Sequence, residues 1–135
     1  MARQGGDSDI LNGISCPSLG NCTIVGQNNG GNVVKAISTS EIDGVWGPVT
    51  AIPVVRGDDL SSVSCADATD CTAVGQGMVN GLGSPLRMTE TNGVWTPAVE
   101  FTVANQGGFL GVSCPDATDC MAVGCAHADH STTVR

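Results

Sequence analysis

The stretch that decides the fold is LSSVSCADATDCTAVG at residues 60–75, in which five residues separate two cysteines. The same pattern occurs 49 residues earlier as LNGISCPSLGNCTIVG (11–26) and 49 residues later as FLGVSCPDATDCMAVG (109–124). Self-similarity at a fixed period of this size is typical of proteins built from one repeated supersecondary unit. The sequence therefore predicts one structural unit that is written almost three times.

Each copy consists of a short apolar run, a five-residue polar linker and a second apolar run, which predicts a β-hairpin. Opposed residues of antiparallel strands have Cα atoms about 4.5–5.5 Å apart, a distance that a disulfide accepts. Metal ligation is the alternative, although zinc sites normally space their cysteines by two to four residues, and free thiols are a third possibility. We expect directly opposed cysteines and disulfides within three pairs: Cys16/Cys22, Cys65/Cys71 and Cys114/Cys120.

A second hairpin follows in the first two copies. Asp43-Gly44 and Asn92-Gly93 are strong signals for a two-residue type I′ turn, because both central residues of that turn need positive φ. Trp46 and Trp95 then open a fourth strand. One repeat is therefore predicted to be four short antiparallel strands, and sheets of this size at a period of 40–50 residues are typical of propeller blades.

The repeated motif Ser-Cys-Pro-x4-Cys-x-Ala-Val-Gly, followed by Asn/Asp-Gly-Val-Trp, resembles the repeat of secreted bacterial β-propeller proteins, particularly those of actinobacterial type. The turn also resembles a degenerate Asp-box of sialidase-like propellers. Two sets of residues match that box loosely: Ser40, Asp43, Gly44 and Trp46, and Thr89, Asn92, Gly93 and Trp95. The resemblance covers residues 11 to about 135 and implies a propeller fold. It implies no particular activity, because one fold hosts many functions.

The predicted fold class is all-β, a partial β-propeller of about three four-stranded antiparallel blades. Residues 1–10 are expected to form a linker or closing strand, 11–59 the first blade, 60–108 the second and 109–135 an incomplete third. Propellers usually close with four to eight blades. We therefore expect one of two arrangements: a homodimer that closes a six-bladed ring, or a chain whose remaining blades lie in a longer protein.

Charge and composition exclude several classes of partner. Thirteen acidic against five basic residues give the 135-residue chain a formal charge of -8, so no basic surface for nucleic acid or anionic lipid is expected. Its apolar runs are too short to span a bilayer. The cysteine pairs predict a secreted protein. Residues 2–6 lack the apolar segment of a signal peptide, and we expect a mature product or a piece of a longer secreted chain.

The most irregular segment contains Cys125, His127, Asp129 and His130. On a strand, the first three would share one face and could present metal ligands. The alternative is a polar loop that diverges from the repeat, and this is the interpretation we adopt, with neither a metal nor a cofactor expected. Cys125 is unpaired by the repeat pattern, which predicts a free thiol or an intermolecular bridge.

Aspartates recur within the cysteine loops at Asp67, Asp70, Asp116 and Asp119. Calcium binding would need six to eight oxygen ligands, and the first copy has Ser and Asn at the corresponding positions. Aspartate in such loops more often accepts hydrogen bonds from its own turn, which is the role we predict. Asp58-Asp59 is predicted to be a solvated linker between blades.

The predicted function is a non-catalytic extracellular binding or scaffold module with a protein or glycan ligand. A fragment of a carbohydrate-active propeller, either a sialidase-like glycosidase or a lectin, is the alternative. Trp46 and Trp95 could be sugar platforms, but their shared repeat position favours a structural role. Sialidases use a Tyr nucleophile, and the chain contains no Tyr. The arginines do not fall at one repeat position: Arg3, Arg56, Arg87 and Arg135.

Overall fold

The computed structural model describes residues 8–30, 33–52, 58–79, 82–101, 107–126 and 130–134, with only the backbone for Val79 and for 130–134. Every regular element in these ranges is a β-strand, and all strand pairs are antiparallel. The predicted all-β class is therefore confirmed. The described part of the chain has no helix of the length and apolarity needed to cross a membrane.

The strands form three separate sheets, each made from consecutive strands of the chain. The first sheet contains β1 (Asp9–Ser18), β2 (Asn21–Asn28), β3 (Lys35–Ile42), β4 (Val45–Trp46) and β5 (Thr50–Ala51). The second contains β6 (Asp59–Cys65), β7 (Cys71–Val79), β8 (Leu82–Thr91), β9 (Val94–Trp95) and β10 (Val99–Glu100). The third contains β11 (Gly107–Ser113), β12 (Met121–Ala126) and β13 (His130–Val134).

The first two strands of each sheet form the predicted hairpin, and a disulfide closes each one. The predicted pairing of the cysteines is confirmed for all three bonds: Cys16–Cys22, Cys65–Cys71 and Cys114–Cys120. Cα–Cα distances across the bonds are 4.1, 3.9 and 4.1 Å, slightly shorter than the sequence-based expectation. In the second sheet Cys65 lies directly opposite Cys71 and the loop has five residues, as expected.

Cys22 departs from the predicted hairpin geometry, although it forms the predicted disulfide. The ladder between β1 and β2 shifts register after Ser15 and resumes at Ser18, which pairs with Asn21. Cys16 and Pro17 therefore oppose the single residue Cys22, and a two-residue turn replaces the predicted five-residue loop. The prediction that Cys22 directly opposes Cys16 at the base of that loop is wrong. Pro17 has no N–H to donate to the ladder, which explains why regular pairing is interrupted at this point.

The predicted type I′ turns are confirmed. Asp43 and Gly44 have φ angles of 49° and 82°, and Asn92 and Gly93 have 51° and 78°. Each turn joins the third strand of its sheet to the fourth through two residues. Positive φ is tolerated best by Gly and next by Asn and Asp, which explains the residue types at these four positions.

The predicted fourth strand is present but broken into two short pieces. In the first sheet β4 and β5 both pair with β3, and in the second sheet β9 and β10 both pair with β8. Pro48 and Pro97 occupy equivalent positions within the two breaks. Because proline cannot donate to a ladder, continuous pairing stops there.

A β-bulge recurs in the first strand of every sheet and explains the glycine that ends each repeated stretch. The register shifts between Leu11 and Gly13, and equivalent shifts occur in the second and third sheets. The strand opposite then passes very close to the bulged strand. A Cβ atom would overlap the facing backbone carbonyl at three positions: Gly26, Gly75 and Gly124. Only glycine fits such an approach without backbone movement.

The sheets stack face to face in chain order. Strand β6 contacts β1 and β2 of the first sheet, and β11 contacts β6, β7 and β8 of the second. The larger core, between the first two sheets, contains Val25, Ala36, Ile52, Leu60, Val63, Cys71, Ala73, Leu86 and Met88. The smaller core, between the second and third, contains Val74, Phe109 and Ala122. Each sheet therefore buries one face against its neighbour along the chain.

Polar contacts between the sheets repeat with the sequence. Ser15 accepts the backbone N–H of Cys65 at 3.0 Å through its hydroxyl oxygen, and Ser64 accepts that of Cys114 at 3.0 Å. In the first two sheets, the threonine after the second cysteine also contacts a sulfur of the next sheet, at 3.6 Å for Thr23 and 3.5 Å for Thr72. Because a disulfide sulfur has no proton, the hydroxyl is the donor.

Candidate functional site

A cleft of about 240 Å³ lies between the second and third sheets, at the end that carries the disulfide loops. Most of its lining surface is apolar, and hydroxyl and carboxyl side chains from both sheets are set into it. From the second sheet it includes Ser64, Asp70, Thr89 and Thr91, and from the third Asp116 and Thr118. The hydroxyl groups can donate and accept hydrogen bonds and the ionised carboxylates can accept them, so the cleft can hold a polar group of a ligand.

The predicted disulfide cysteines differ in their relation to this cleft. Cys71 of the second sheet and Cys114 of the third both line it. Cys16 and Cys22 belong to the first sheet and are not among the residues that line it. The disulfide of the first sheet therefore closes its own hairpin without contributing to the cleft.

Asp67 and Asp116 cap their own turns, as predicted, whereas Asp70 accepts an N–H of the type I′ turn instead. Asp67 accepts the N–H groups of Thr69 and Asp70 through one oxygen at 2.9 Å each. Asp116 accepts those of Thr118 and Asp119 at 2.8 Å each. The N–H of Thr69 is the main cause that lowers the pKa of Asp67, and the N–H of Thr118 does the same for Asp116. Hydrogen bonds to the charged form favour ionisation.

The disulfide loop is held against the type I′ turn of its own sheet. In the second sheet the N–H of Gly93 donates to the carbonyl of Thr69 at 3.0 Å, and the N–H of Asn92 donates to Asp70 Oδ1 at 3.4 Å. In the first sheet the equivalent bonds are Gly44 to the Gly20 carbonyl at 2.8 Å and Asp43 to Asn21 Oδ1 at 3.2 Å. The rim of the cleft is therefore fixed by backbone hydrogen bonds as well as by a disulfide.

A buried carboxyl group borders this region. Glu90 lies opposite Cys71 in the ladder, is only 5% exposed, and its Oε2 atom has no hydrogen-bond partner among the described residues. Burial raises the pKa of Glu90 to about 7, and the charges of Asp70 and Asp67 add to the effect. Glu90 is not among the site residues predicted from the sequence, where its signal is an acid at the same position of the first repeat, Glu41.

The prediction of a solvated linker at Asp58 is wrong. Asp58 is 2% exposed, and its Oδ1 has no hydrogen-bond partner among the described residues. Burial raises the pKa of Asp58 to about 6, with further contributions from Glu100 and Asp59 and an opposing one from the N–H of Met78. The pKa of Asp59 is also raised by burial, although the N–H of Gln76 donates to it at 3.2 Å.

The two tryptophans differ in their surroundings. Trp95 packs against the core between the first two sheets, which supports the structural role predicted for it. Trp46 occupies the same repeat position in the first sheet but is 38% exposed. The difference arises because the second sheet has a neighbour on that side, whereas the equivalent face of the first sheet is open to solvent in the described structure.

Other predicted candidates do not form a site in the described structure. Cys125 is a free, exposed thiol, while His127, Asp129 and the side chain of His130 lie outside the described residues. Within the ranges that the structure describes, no three or more His, Cys, Asp or Glu side chains are grouped to hold a metal ion.

A second cavity between the second and third sheets is too small for a ligand. It measures about 30 Å³, roughly the space of one water molecule. The guanidinium of Arg87 lies over the ring of Phe101, 6.0 Å from its centroid, and this ring meets Phe109 edge-on at 5.5 Å. Arg87 is thus placed by packing, and the remaining arginines, Arg3, Arg56 and Arg135, lie outside the described residues.

Comparison with known proteins adds no family to these observations. No protein-family model matches the chain, and no curated protein matches it significantly. The geometry of the cleft and of the stacked sheets is therefore the basis for a functional proposal.

Proposed function

We propose that this chain is a non-catalytic extracellular binding module, in which the three sheets are blades of a β-propeller and the cleft between the second and third receives a small polar group of a glycan or protein. The observation that carries the proposal is the cleft itself: it measures about 240 Å³, it has hydroxyl and carboxyl groups set into a largely apolar wall, and it is framed by the disulfide loops of two neighbouring sheets. Binding sites commonly lie in clefts between structural units.

The stacking of the sheets supports the propeller arrangement. The first strands of the three sheets lie next to each other, since β6 contacts both β1 and β11. In a propeller the first strand of each blade lines the central axis, and the later strands lie further out. The broken fourth strands, β4/β5 and β9/β10, would then form the outer edges.

The disulfides support an extracellular location. All three form within the chain and link nearby cysteines at equivalent positions of the repeat. Disulfides persist in oxidising environments and are rare where thiols are kept reduced.

The chemistry of the cleft supports a ligand group that is rich in hydrogen-bond donors. Asp70 and Asp116 supply acceptors, and Thr89 and Thr91 supply hydroxyl groups. A volume of about 240 Å³ is below the range of roughly 300–1,000 Å³ for drug-sized sites, so one sugar ring or one side chain is the appropriate size. The formal charge of -8 favours a neutral or positive group over an anion.

A fragment of a carbohydrate-active propeller is the second candidate, and the exposure of Trp46 is the observation that favours it. An indole ring that is 38% exposed could stack on a sugar. This site lies on the first sheet, away from the cleft, so the two candidates make different predictions for single variants.

Binding to arrayed glycans and to arrayed peptides tests the proposal. Thr91 is exposed at the cleft, and Thr91→Trp should fill the cleft and weaken binding of any captured ligand at least tenfold. Val45→Trp places the same side chain at an exposed position of the first sheet and should leave binding unchanged. The peptide and glycan arms distinguish the two sources of ligand.

Two results would contradict the proposal. Loss of glycan binding in Trp46→Ala with full binding in Thr91→Trp would move the site to the first sheet and favour the lectin candidate. Hydrolysis of chromogenic glycosides by the purified chain would overturn the non-catalytic assignment.

A further inference from the structure

The two ends of the stack expose faces that are buried at every junction inside it. We call the face of a sheet that is turned toward the next sheet along the chain its forward face, and the opposite one its backward face. Val25 and Val74 lie on forward faces and are 0% and 1% exposed, whereas Val123 occupies the same position of the third sheet and is 51% exposed. On the backward side, Val63 is 6% exposed and the equivalent Ile14 of the first sheet is 59% exposed.

The forward face of the third sheet is also more apolar than those inside the stack. The bulge position holds Asn12 in the first sheet, where the side chain donates to the Leu60 carbonyl at 2.8 Å, but Leu110 in the third. Thr23 contacts the next sheet through its hydroxyl, and its equivalent in the third sheet is Met121. Leu110 and Met121 are both exposed. The polar groups of an inner junction are therefore replaced by apolar ones at this end.

The backward face of the first sheet is apolar as well. Leu11, Ile14 and Trp46 are exposed there, while their equivalents in the second sheet, Leu60, Val63 and Trp95, all belong to the core formed against the first sheet or pack on it. Neither end face carries a charged side chain at these positions. Two such faces can meet without burying an unpaired charge, which would oppose association.

We propose that the forward face of the third sheet binds the backward face of the first sheet of a second copy, so that two chains close on each other head to tail. The second copy is the occupant because it presents the same type of face that covers Val25 and Val74 inside one chain. Ser113 would align the two faces. Ser15 and Ser64 accept the N–H groups of Cys65 and Cys114, and Ser113 would in the same way accept the N–H of Cys16 in the second copy. Two such contacts, related by a two-fold axis, unite six sheets in one closed assembly.

The native mass of the 135-residue chain is the first measurement, by light scattering across a dilution series. The expected mass is twice 13.6 kDa. The same mass is expected for Cys125→Ser, so a disulfide between copies through the exposed Cys125 cannot account for it. A monomer would overturn the proposal and favour further sheets of a longer chain as the cover of these faces. A series of increasing multiples of the monomer mass would indicate open-ended association and would overturn the closed arrangement.

Complementation between two variants tests which faces meet. Val123→Asp places a charge on the forward face, and Ile14→Asp places one on the backward face. Each variant alone should therefore be monomeric. A mixture of the two retains one intact pair of faces, so it should regain the dimer mass, which also shows that both variants are folded. Val94→Asp, at a position of the second sheet that is 66% exposed, is the matched control and should remain dimeric.

Two results of this comparison would overturn the head-to-tail contact. If Ile14→Asp alone stays dimeric while Val123→Asp does not, the third sheet pairs with its own copy instead. If the mixture of folded variants stays monomeric, the forward and backward faces are not partners.

Discussion

The hydroxyl oxygen of Ser64 in the second sheet accepts the backbone N–H of Cys114 in the third sheet at 3.0 Å. The same bond joins Ser15 to Cys65, 3.0 Å long and 49 residues earlier. The Ser-Cys pair of the repeat therefore has two functions in adjacent sheets: the cysteine closes a hairpin, and the serine before it fixes the next hairpin in place. This explains why the two residues occur together in the first two copies.

Ser64→Ala should lower the free energy of unfolding by about 1–2 kcal/mol, because the variant leaves the Cys114 N–H without its acceptor at a partly buried junction. Chemical denaturation measures this. Ser8→Ala is the control, since Ser8 is exposed and lies before the first strand, and it should change the value by less than about 0.5 kcal/mol. Equal stability of the two variants would show that the junction does not depend on this bond.

Gly75→Ala should destabilise the protein by roughly 1–3 kcal/mol, because its Cβ would overlap the Asp59 carbonyl and backbone must move to relieve it. In Gly47→Ala the new Cβ meets only the Ser40 carbonyl, at 3.5 Å, which is an ordinary contact. Thermal unfolding of the two variants should therefore give clearly different midpoints. Similar midpoints would mean that the bulged strand yields easily.

The protein should become more stable as the pH falls from about 8 toward 5. Glu90 releases its proton at a pKa of about 7 in the folded state, compared with an ordinary value of 4.5, and Asp58 at about 6 compared with 3.8. Between those values the folded state binds more protons than the unfolded chain, so lowering the pH favours folding. The cost of ionising each group is fully present only above its folded-state pKa. Denaturation midpoints across this pH range measure the effect.

Glu90→Gln isolates the contribution of one of the two residues to this dependence. The variant removes the buried charge, and it should raise the free energy of unfolding at pH 8 by on the order of 2 kcal/mol and flatten its pH dependence. Glu41→Gln changes the equivalent residue of the first sheet and should keep the slope of the parent protein. A Glu90→Gln protein with the parent slope would show that other groups cause the dependence.

The repeat in the sequence predicted the hairpins, the disulfides and the type I′ turns, because each of these depends on residues that are close together in the chain. Asp43 and Gly44 determine their turn locally, and Cys65 and Cys71 need only one hairpin to meet. The burial of Glu90 and Asp58 could not be predicted in this way. An acid on a strand or just before one can face water or a neighbouring sheet, and which occurs depends on how whole sheets stack.

Two irregularities had a local signal that the sequence analysis did not use. Pro48 and Pro97 recur at the repeat period, and because proline cannot donate to a ladder they mark the break in the fourth strand. Pro17 likewise marks the register shift opposite Cys22. The bulge near the start of each sheet, in contrast, is a property of two paired strands. Its signal in the sequence is the glycine that ends each repeated stretch. The reason for that glycine is visible only in the structure, where a Cβ atom would overlap a carbonyl of the opposite strand.

Removing the first and the second disulfide in separate variants should distinguish the stabilisation that comes from loop entropy from the stabilisation that comes from packing. The three bonds have the same sequence separation of 6, so the chain-entropy contribution is the same for each, roughly 2 kcal/mol. Cys71, however, is 3% exposed and belongs to the core between the first two sheets, with Cys65 packed against it, whereas Cys16 is exposed and Cys22 is only half-buried. The double variant Cys65→Ala/Cys71→Ala should therefore cost more than Cys16→Ala/Cys22→Ala, by about 1–2 kcal/mol of lost packing. Denaturation of the two double variants measures the difference, and equal costs would mean that the buried disulfide stabilises the fold only through its loop.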